Sequence, residues 1–148
     1  MKKVFIYPVS DKESAEDLNE LEFEKHVRWY AEKRVSFEEG DLVLIYVSGN
    51  LKKIKYICEV KDVYEGGSEF ELDLMEVIDD DTASLLDYWH LESNGVKNRL
   101  QSRLILNNNP QLCSYISNVL LEHGYHGYID KDLCDENKDF IDEKKKMI

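Results

Sequence analysis

The sequence predicts an α+β fold in which closely spaced strands pair antiparallel and helices flank the sheet. Residues 54–60 and 69–74 largely alternate between apolar and polar side chains, which is the period of a half-buried strand. The loops between the strands are of hairpin length, and such loops join antiparallel neighbours. Apolar residues at helical spacing within 13–30 and from 110 onward predict two amphipathic helices.

The chain begins with an expected strand over residues 4–9, which are rich in β-branched and aromatic side chains. Pro8 places this strand at a sheet edge or near a strand end, because proline has no N–H to donate. Ser10 or Asp11 can cap a helix from about residue 13 to residue 30. The segment becomes strongly charged by Asp11 and lacks a cleavage site of small residues, so we expect a strand here and not a signal peptide.

Three strands are expected next. Gly40 supplies the turn before residues 42–47, an almost wholly apolar run that is typical of a strand buried on both faces. In residues 54–60 the apolar side chains are expected on one side of the strand. Residues 69–74 alternate cleanly and predict the third of these strands.

The second half of the chain predicts a short helix from Thr82 to Leu91, an extended segment over 99–106, and a last helix opened by Asn109 and Pro110. Gly124 is expected to end that helix. We therefore expect one domain over 1–124, followed by an acidic extension over 125–148 that packs on the domain or frays from it.

Charge and cysteine content limit the function classes. The net charge of −12 argues against indiscriminate nucleic-acid binding, which normally rests on a basic surface. Local basic islands at 51–64 and 82–109 are either a small binding face or ordinary solvated charge. The three cysteines are far apart and include no C-x-x-C pair, so we expect no disulfide framework and a cytoplasmic protein. No apolar run reaches the length of a membrane span, and no membrane partner is expected.

Catalytic and metal-binding motifs are not apparent, so the sequence predicts a binding domain and not an enzyme, with no cofactor and no metal. His123 and His126, near Cys134, match no zinc-ligand spacing and are expected at the surface. The run Asp79–Asp81 is expected to be a solvated turn, because no calcium-loop pattern surrounds it.

An ordered set of short motifs resembles the EVE-type PUA-like domains. It comprises Trp29, the pair Gly40-Asp41, the apolar strand ending in Tyr46 and Ser48, and the pair Glu59-Val60. A later set also resembles the closing part of these domains, namely Leu91–Val96, Leu100-Gln101, Leu112 and Tyr115-Ile116. The resemblance covers roughly residues 4–120 and extends to YTH domains and to the modified-cytosine reader domains of restriction endonucleases.

The resemblance implies a PUA-like, half-open, antiparallel or mixed β-barrel with a pocket for a modified base of DNA or RNA, in phage defence or RNA metabolism. Trp29, at the expected helix end, and Tyr46 match the positions of rings near that pocket, and we expect them to face each other across a slot. Four further ligand-binding residues are expected at its rim or on the base edge: Ser48, Tyr7, Ser10 and Gln101. Four cations are expected to meet backbone phosphates: Lys52, Lys53, Arg99 and Arg103.

Less specific interpretations stay open at this point. Tyr46 is equally typical of a core ring with its hydroxyl at the surface, and Trp29 of a core anchor. Trp89, beside Leu85 and Leu86, is expected in the core. The alternative function is an acidic protein-interaction or nucleic-acid-mimic protein, such as an inhibitor or antitoxin, whose acidic surface at 79–81 and 130–143 binds a protein such as a nuclease. An RNA-modifying or nucleotide-hydrolysing enzyme has the least support.

Overall fold

The computed structural model describes residues 2–129 and 133–134. Six strands and four helices are defined: β1 (Val4–Ser10), α1 (Ala15–Glu24), β2 (His26–Tyr30), β3 (Leu42–Ser48), β4 (Lys53–Tyr64), β5 (Glu69–Val77), α2 (Asp80–Ser84), α3 (Tyr88–Ser93), β6 (Leu104–Ile105) and α4 (Pro110–Glu122). Across these residues no helix has both the length and the apolar character that crossing a membrane requires.

The strands form one mixed sheet in the order β2-β5-β4-β3-β1-β6. β1 lies parallel to β3, with Val4 opposite Leu42, and every other pairing in the sheet is antiparallel. Helices flank the sheet, and its two edges do not pair with each other. The predicted α+β class with a half-open mixed sheet is confirmed.

Two hydrophobic clusters cover the two faces of the sheet, and β3 contributes to both. Its residues 42, 44 and 46 belong to the cluster that includes Leu112 and Ile116 of α4, which we call the α4 face. Its residues 43, 45 and 47 belong to the cluster that includes Leu18 and Leu21 of α1, which we call the α1 face. Successive side chains of a strand point to opposite faces, so a strand between two cores is apolar throughout, as predicted for 42–47.

The expected continuous helix over 13–30 is wrong. α1 ends at Glu24 because Lys25 adopts a left-handed backbone conformation, with φ of 59°. Residues 26–30 then form β2, which pairs antiparallel with β5 and places Trp29 opposite Phe70. Val27 and Trp29 are buried while Arg28 and Tyr30 are exposed. This period of two is that of a strand, and it follows directly on the helical pattern of α1.

The expected alternation of residues 54–60 is also interrupted. The β3–β4 register shifts between Ile45, which is opposite Tyr56, and Tyr46, which is opposite Ile54. The extra residue is Lys55, so the strand carries a β-bulge there. Ile54 consequently packs on the α4 face, while Tyr56, Cys58 and Val60 pack on the α1 face.

The segment before the last helix is less extended than expected. Asp79 caps α2 and Asp87 caps α3, so the predicted single helix from Thr82 is two short ones. Residues 98–100 form a 3-10 turn, and β6 keeps two residues of the expected strand over 99–106. Buried Asn107 then accepts the Val4 N–H at 2.9 Å through its side-chain oxygen, which fixes β1 to this segment. The last helix matches the prediction.

The cysteine prediction needs correction, because Cys113 and Cys134 form a disulfide with Cα atoms 5.4 Å apart. Two cysteines that are far apart in the sequence can still form a disulfide when the segments that carry them pack side by side, as α4 and the segment around Cys134 do. Cys58 is free and buried. Tyr125 and Tyr128 pack against the α4 face. The expected domain boundary at residue 124 stays a prediction, and most of 130–148 lies outside the described residues.

Candidate functional site

A cleft opens beside β1 beyond the point where its pairing with the edge strand β6 ends. The pairing of β6 with β1 covers Phe5 and Ile6, and Pro8 lies beyond it. Proline has no N–H to donate to a further neighbouring strand, so β1 can remain unpaired on this side and leave space for a cleft. The cleft has a volume of about 450 Å³ and lies between the end of β1, the start of α1, the end of β2 and residues 101–103. We call it the β1–α1 cleft; its volume is within the usual range for small-molecule sites.

Five of the ten residues predicted to contact ligand or phosphate line this cleft: Tyr7, Ser10, Trp29, Gln101 and Arg103. They come from segments that are far apart in the sequence. The fold therefore brings half of the predicted site together at one opening.

Aromatic side chains form the inner wall of the β1–α1 cleft. Tyr7 is half-buried, and its ring centroid lies 6.4 Å from that of Trp29, with the ring planes tilted by 51°. Phe37 and Phe70 support Tyr7 from the core at centroid distances of 5.7 and 5.8 Å. Burial raises the pKa of Tyr7; Arg103 opposes the shift and Glu32 adds to it. The phenol is therefore a neutral hydrogen-bonding group at the cleft wall.

Charged residues of both signs surround the wall. The lining residues include the acids Glu13, Asp17 and Glu32 and the cations Lys33 and Arg103. Burial raises the pKa of Asp17, and the neighbouring carboxylates of Glu20 and Glu16 raise it further. The carboxylates are hydrogen-bond acceptors, so the cleft favours ligands that carry N–H donors.

The expected facing pair of Trp29 and Tyr46 is wrong. Trp29 packs on the α1 face and Tyr46 on the α4 face, so the sheet itself separates the two rings. Tyr46 is 2% exposed, and burial, followed by the charges of Tyr88 and Asp87, raises its pKa to about 12. Its neighbour Ser48 does not line the β1–α1 cleft; its hydroxyl donates to the Val9 carbonyl at 3.0 Å and so joins β3 to β1.

The other predicted phosphate contacts lie away from the β1–α1 cleft, beside α3. The Lys52 carbonyl accepts the Tyr88 N–H at 2.9 Å, and Lys53 forms a β-bridge with Asp87. Arg99 does not line the cleft either; its charge opposes the rise in the pKa of Tyr88 that the hydrogen bond with Glu92 causes. The expected core position of Trp89 in this helix is wrong, because the residue is 67% exposed.

The acidic turn at 79–81 has a structural role. Asp79 accepts hydrogen bonds from the Thr82 hydroxyl and the Tyr125 hydroxyl, each at 2.6 Å, and caps α2. These bonds hold the pKa of Asp79 well below its usual range. Asp80 forms an ion pair with Lys55 at 3.0 Å. In the described part of the chain, no cluster of three or more His, Cys, Asp or Glu side chains is arranged to hold a metal ion.

Sequence reasoning missed several residues that line the β1–α1 cleft, among them Glu13, Ser14, Asp17, Glu32, Lys33 and Ser102. The first three lie at or just before the start of α1, in a segment that the sequence predicted only as the beginning of an amphipathic helix. The next two follow β2, a strand that was not predicted. Of these residues, Ser102 alone could have been predicted from the sequence, because it lies between the predicted site residues Gln101 and Arg103.

The likeness to one solved structure supports the fold. The NMR structure of Rpa0253 from Rhodopseudomonas palustris has a TM-score of 0.54 at 11% identity, covering 84% of this chain and 99% of that one. The crystal structure of ASCH from Zymomonas mobilis has a TM-score of 0.47 at 12% identity, covering 76% and 94%. A variant of the same protein has a TM-score of 0.44 at 8% identity, covering 70% and 90%.

No protein-family model and no curated protein matches the chain. The arrangement of the sheet, with the likeness to Rpa0253 at fold level, shows a mixed α+β fold with an unclosed six-stranded sheet. Membership of the EVE type stays a prediction.

Proposed function

We propose that the protein is a non-catalytic nucleic-acid-binding domain that accommodates a modified base of DNA or RNA in the β1–α1 cleft. One observation carries the proposal. Four of the six residues expected to bind the base, Tyr7, Ser10, Trp29 and Gln101, line a single cleft of about 450 Å³.

Stacking on Tyr7 would supply one part of the binding free energy. Trp29 is 5% exposed and supports the wall, whereas Tyr7 is half-buried and offers more ring surface to the cleft. Stacking of a base on an aromatic ring contributes about 1–3 kcal/mol. Taking a base out of a helix costs a few kcal/mol, so polar contacts must add to the stacking.

Polar groups at the rim can supply those contacts. The Gln101 amide has both donors and acceptors and can pair with a base edge. The carboxylates of Glu13, Asp17 and Glu32 accept hydrogen bonds from exocyclic amino groups. This set favours an amino-bearing base, cytosine or adenine, and selectivity for a modified form would come from contacts around the modified atom.

Ser10 has a structural role at the rim of the cleft. Its hydroxyl oxygen accepts the N–H groups of Lys12 and Glu13, each at 3.2 Å. Ser10 therefore caps the turn that leads into α1.

Tryptophan fluorescence can test the proposal. Trp89 is exposed outside the cleft, so the Trp89→Phe variant leaves Trp29 as the sole reporter. We expect matched pairs of modified and unmodified adenosine and cytidine to change Trp29 emission, with a modified member bound more tightly. Gln101→Ala should weaken binding, whereas Gln111→Ala, the matched change outside the cleft, should not. If no nucleoside or oligonucleotide changes the emission, the proposal fails; if modified and unmodified forms bind equally, its modified-base part fails.

The acidic protein-interaction alternative ranks second. It is consistent with the net charge of −12, but two of its expected surface acids have structural partners. Asp79 caps α2 and Asp80 pairs with Lys55. Most of the other expected acidic surface, residues 130–143, lies outside the described residues.

A further inference from the structure

A second groove adjoins the β1–α1 cleft and shares three of its lining residues, Gln101, Ser102 and Arg103. This groove has a volume of about 290 Å³ and continues along the segment from Gly95 to Leu104. We call it the 95–104 groove. The shared residues form a ridge with one opening on each side, so a ligand longer than one nucleotide can occupy both.

The two openings differ in charge. The β1–α1 cleft is lined by three carboxylates and two cations. The described residues that line the 95–104 groove include Lys97 and Arg103 as cations, and none of them is acidic. In a protein with a net charge of −12, a groove with this composition is the more favourable place for a phosphate next to the cleft.

The backbone of this segment has an unusual conformation. Asn98, Arg99 and Leu100 have φ angles of 59°, 55° and 52°, three consecutive residues in the left-handed region. That region is unfavourable for residues other than glycine, and such strain concentrates at functional sites. Leu100 is 4% exposed and anchors the turn in the core, whereas Lys97, Arg99 and Arg103 are exposed around it.

We propose that a single strand of nucleic acid crosses the ridge, with one base in the β1–α1 cleft and the adjoining phosphates in the 95–104 groove, near Arg103 and then Lys97. This inference rests on the proposed function and specifies its ligand as an oligonucleotide and not a free nucleoside. Amide side chains of Asn98, Gln101 and Asn109 line the groove and can donate to phosphate oxygens.

Comparing ligands of increasing length tests this path. The Trp89→Phe protein is titrated with modified and unmodified adenosine and cytidine, with their 3′- and 5′-monophosphates, and with the matching trinucleotides. We expect the trinucleotides to bind at least five-fold more tightly than the nucleosides. Lys97→Ala should abolish most of that gain and leave nucleoside affinity unchanged. It should also reduce the slope of log affinity against log salt by about 0.7, the value for one phosphate contact on a single strand.

Lys61→Ala is the matched control, because it removes the same charge from an exposed strand residue that lines neither opening. Equal affinity for nucleosides and trinucleotides, or equal losses in the Lys97 and Lys61 variants, overturns the strand path while the base site stands. Trinucleotide binding that depends on Lys97 without any nucleoside binding keeps the groove and contradicts the base site. No binding by any ligand overturns both.

Discussion

The rings of Tyr7 and Trp29 lie against each other in the wall of the β1–α1 cleft, with centroids 6.4 Å apart and planes tilted by 51°. No planar ligand fits between two rings at this distance and tilt. A base would therefore stack on the open side of Tyr7, with Trp29 as support.

Replacing Tyr7 by leucine keeps apolar volume against Phe37 and Phe70 but removes the ring surface. We expect nucleoside affinity to fall about ten-fold, since one stacked base is worth about 1–3 kcal/mol. Tyr7→Phe keeps the ring and should stay within a few-fold of the parent protein. Titration of Trp29 fluorescence measures both variants. Equal losses in the two would show that the hydroxyl, and not the ring, binds the ligand.

Asn107→Ala should lower the free energy of unfolding by about 1–3 kcal/mol, because it leaves the buried Val4 N–H without its acceptor. Urea denaturation followed by circular dichroism measures the change. Asn108→Ala, at the exposed neighbouring position, should have little effect. If the two variants unfold alike, the bond to β1 contributes nothing.

The Cys113–Cys134 disulfide closes a loop with a sequence separation of 21 residues. Loops of this size contribute about 3 kcal/mol in the chain-entropy description. We expect a reducing agent to lower the thermal midpoint of the parent protein and not that of the Cys113→Ala, Cys134→Ala double variant. Thiol titration after denaturation should find one free thiol, Cys58, before reduction. Three free thiols before reduction would contradict the pairing.

Asp79 should make the protein sensitive to acid. Its folded-state pKa is depressed by the hydrogen bonds from Thr82 and then Tyr125, so its stabilising contribution is complete above its unfolded pKa of about 4. That contribution is lost as pH falls below this value towards the folded pKa. The thermal midpoint of Asp79→Asn should be lower than that of the parent at pH 6, and the difference should shrink towards pH 3. Asp81→Asn, at an exposed neighbour, is the control; a difference independent of pH would contradict the assignment.

Local patterns predicted the central elements well. Residues 42–47 were expected to be buried on both faces because every position is apolar, and the structure places them between two clusters. Asn109 and Pro110 marked the start of α4, because proline is favoured in the first turn of a helix. Gln101 and Arg103, predicted to contact base and phosphate, both line the cleft, where their roles stay predictions.

Local sequence patterns could not predict the register between strands or the pairing of residues that are far apart in the sequence. Tyr46 was expected to face Trp29, but the two side chains belong to different clusters, and that outcome depends on how β2 and β3 sit in the whole sheet. The end of α1 depends on the left-handed conformation of Lys25, and the bulge at Lys55 depends on the register between β3 and β4. The Cys113–Cys134 pair depends on packing against α4, which the spacing of cysteines does not reveal.

The hydrogen bond from Val4 to Asn107 joins residues that are 103 positions apart. During synthesis, the first strand leaves the ribosome long before β3, its parallel partner, and longer still before the asparagine that completes its other side. The outer edge of β1 must therefore wait unpaired while most of the chain is translated. Such non-local pairing is slow to form, so truncation ahead of residue 107 should leave a nascent chain exposed to aggregation.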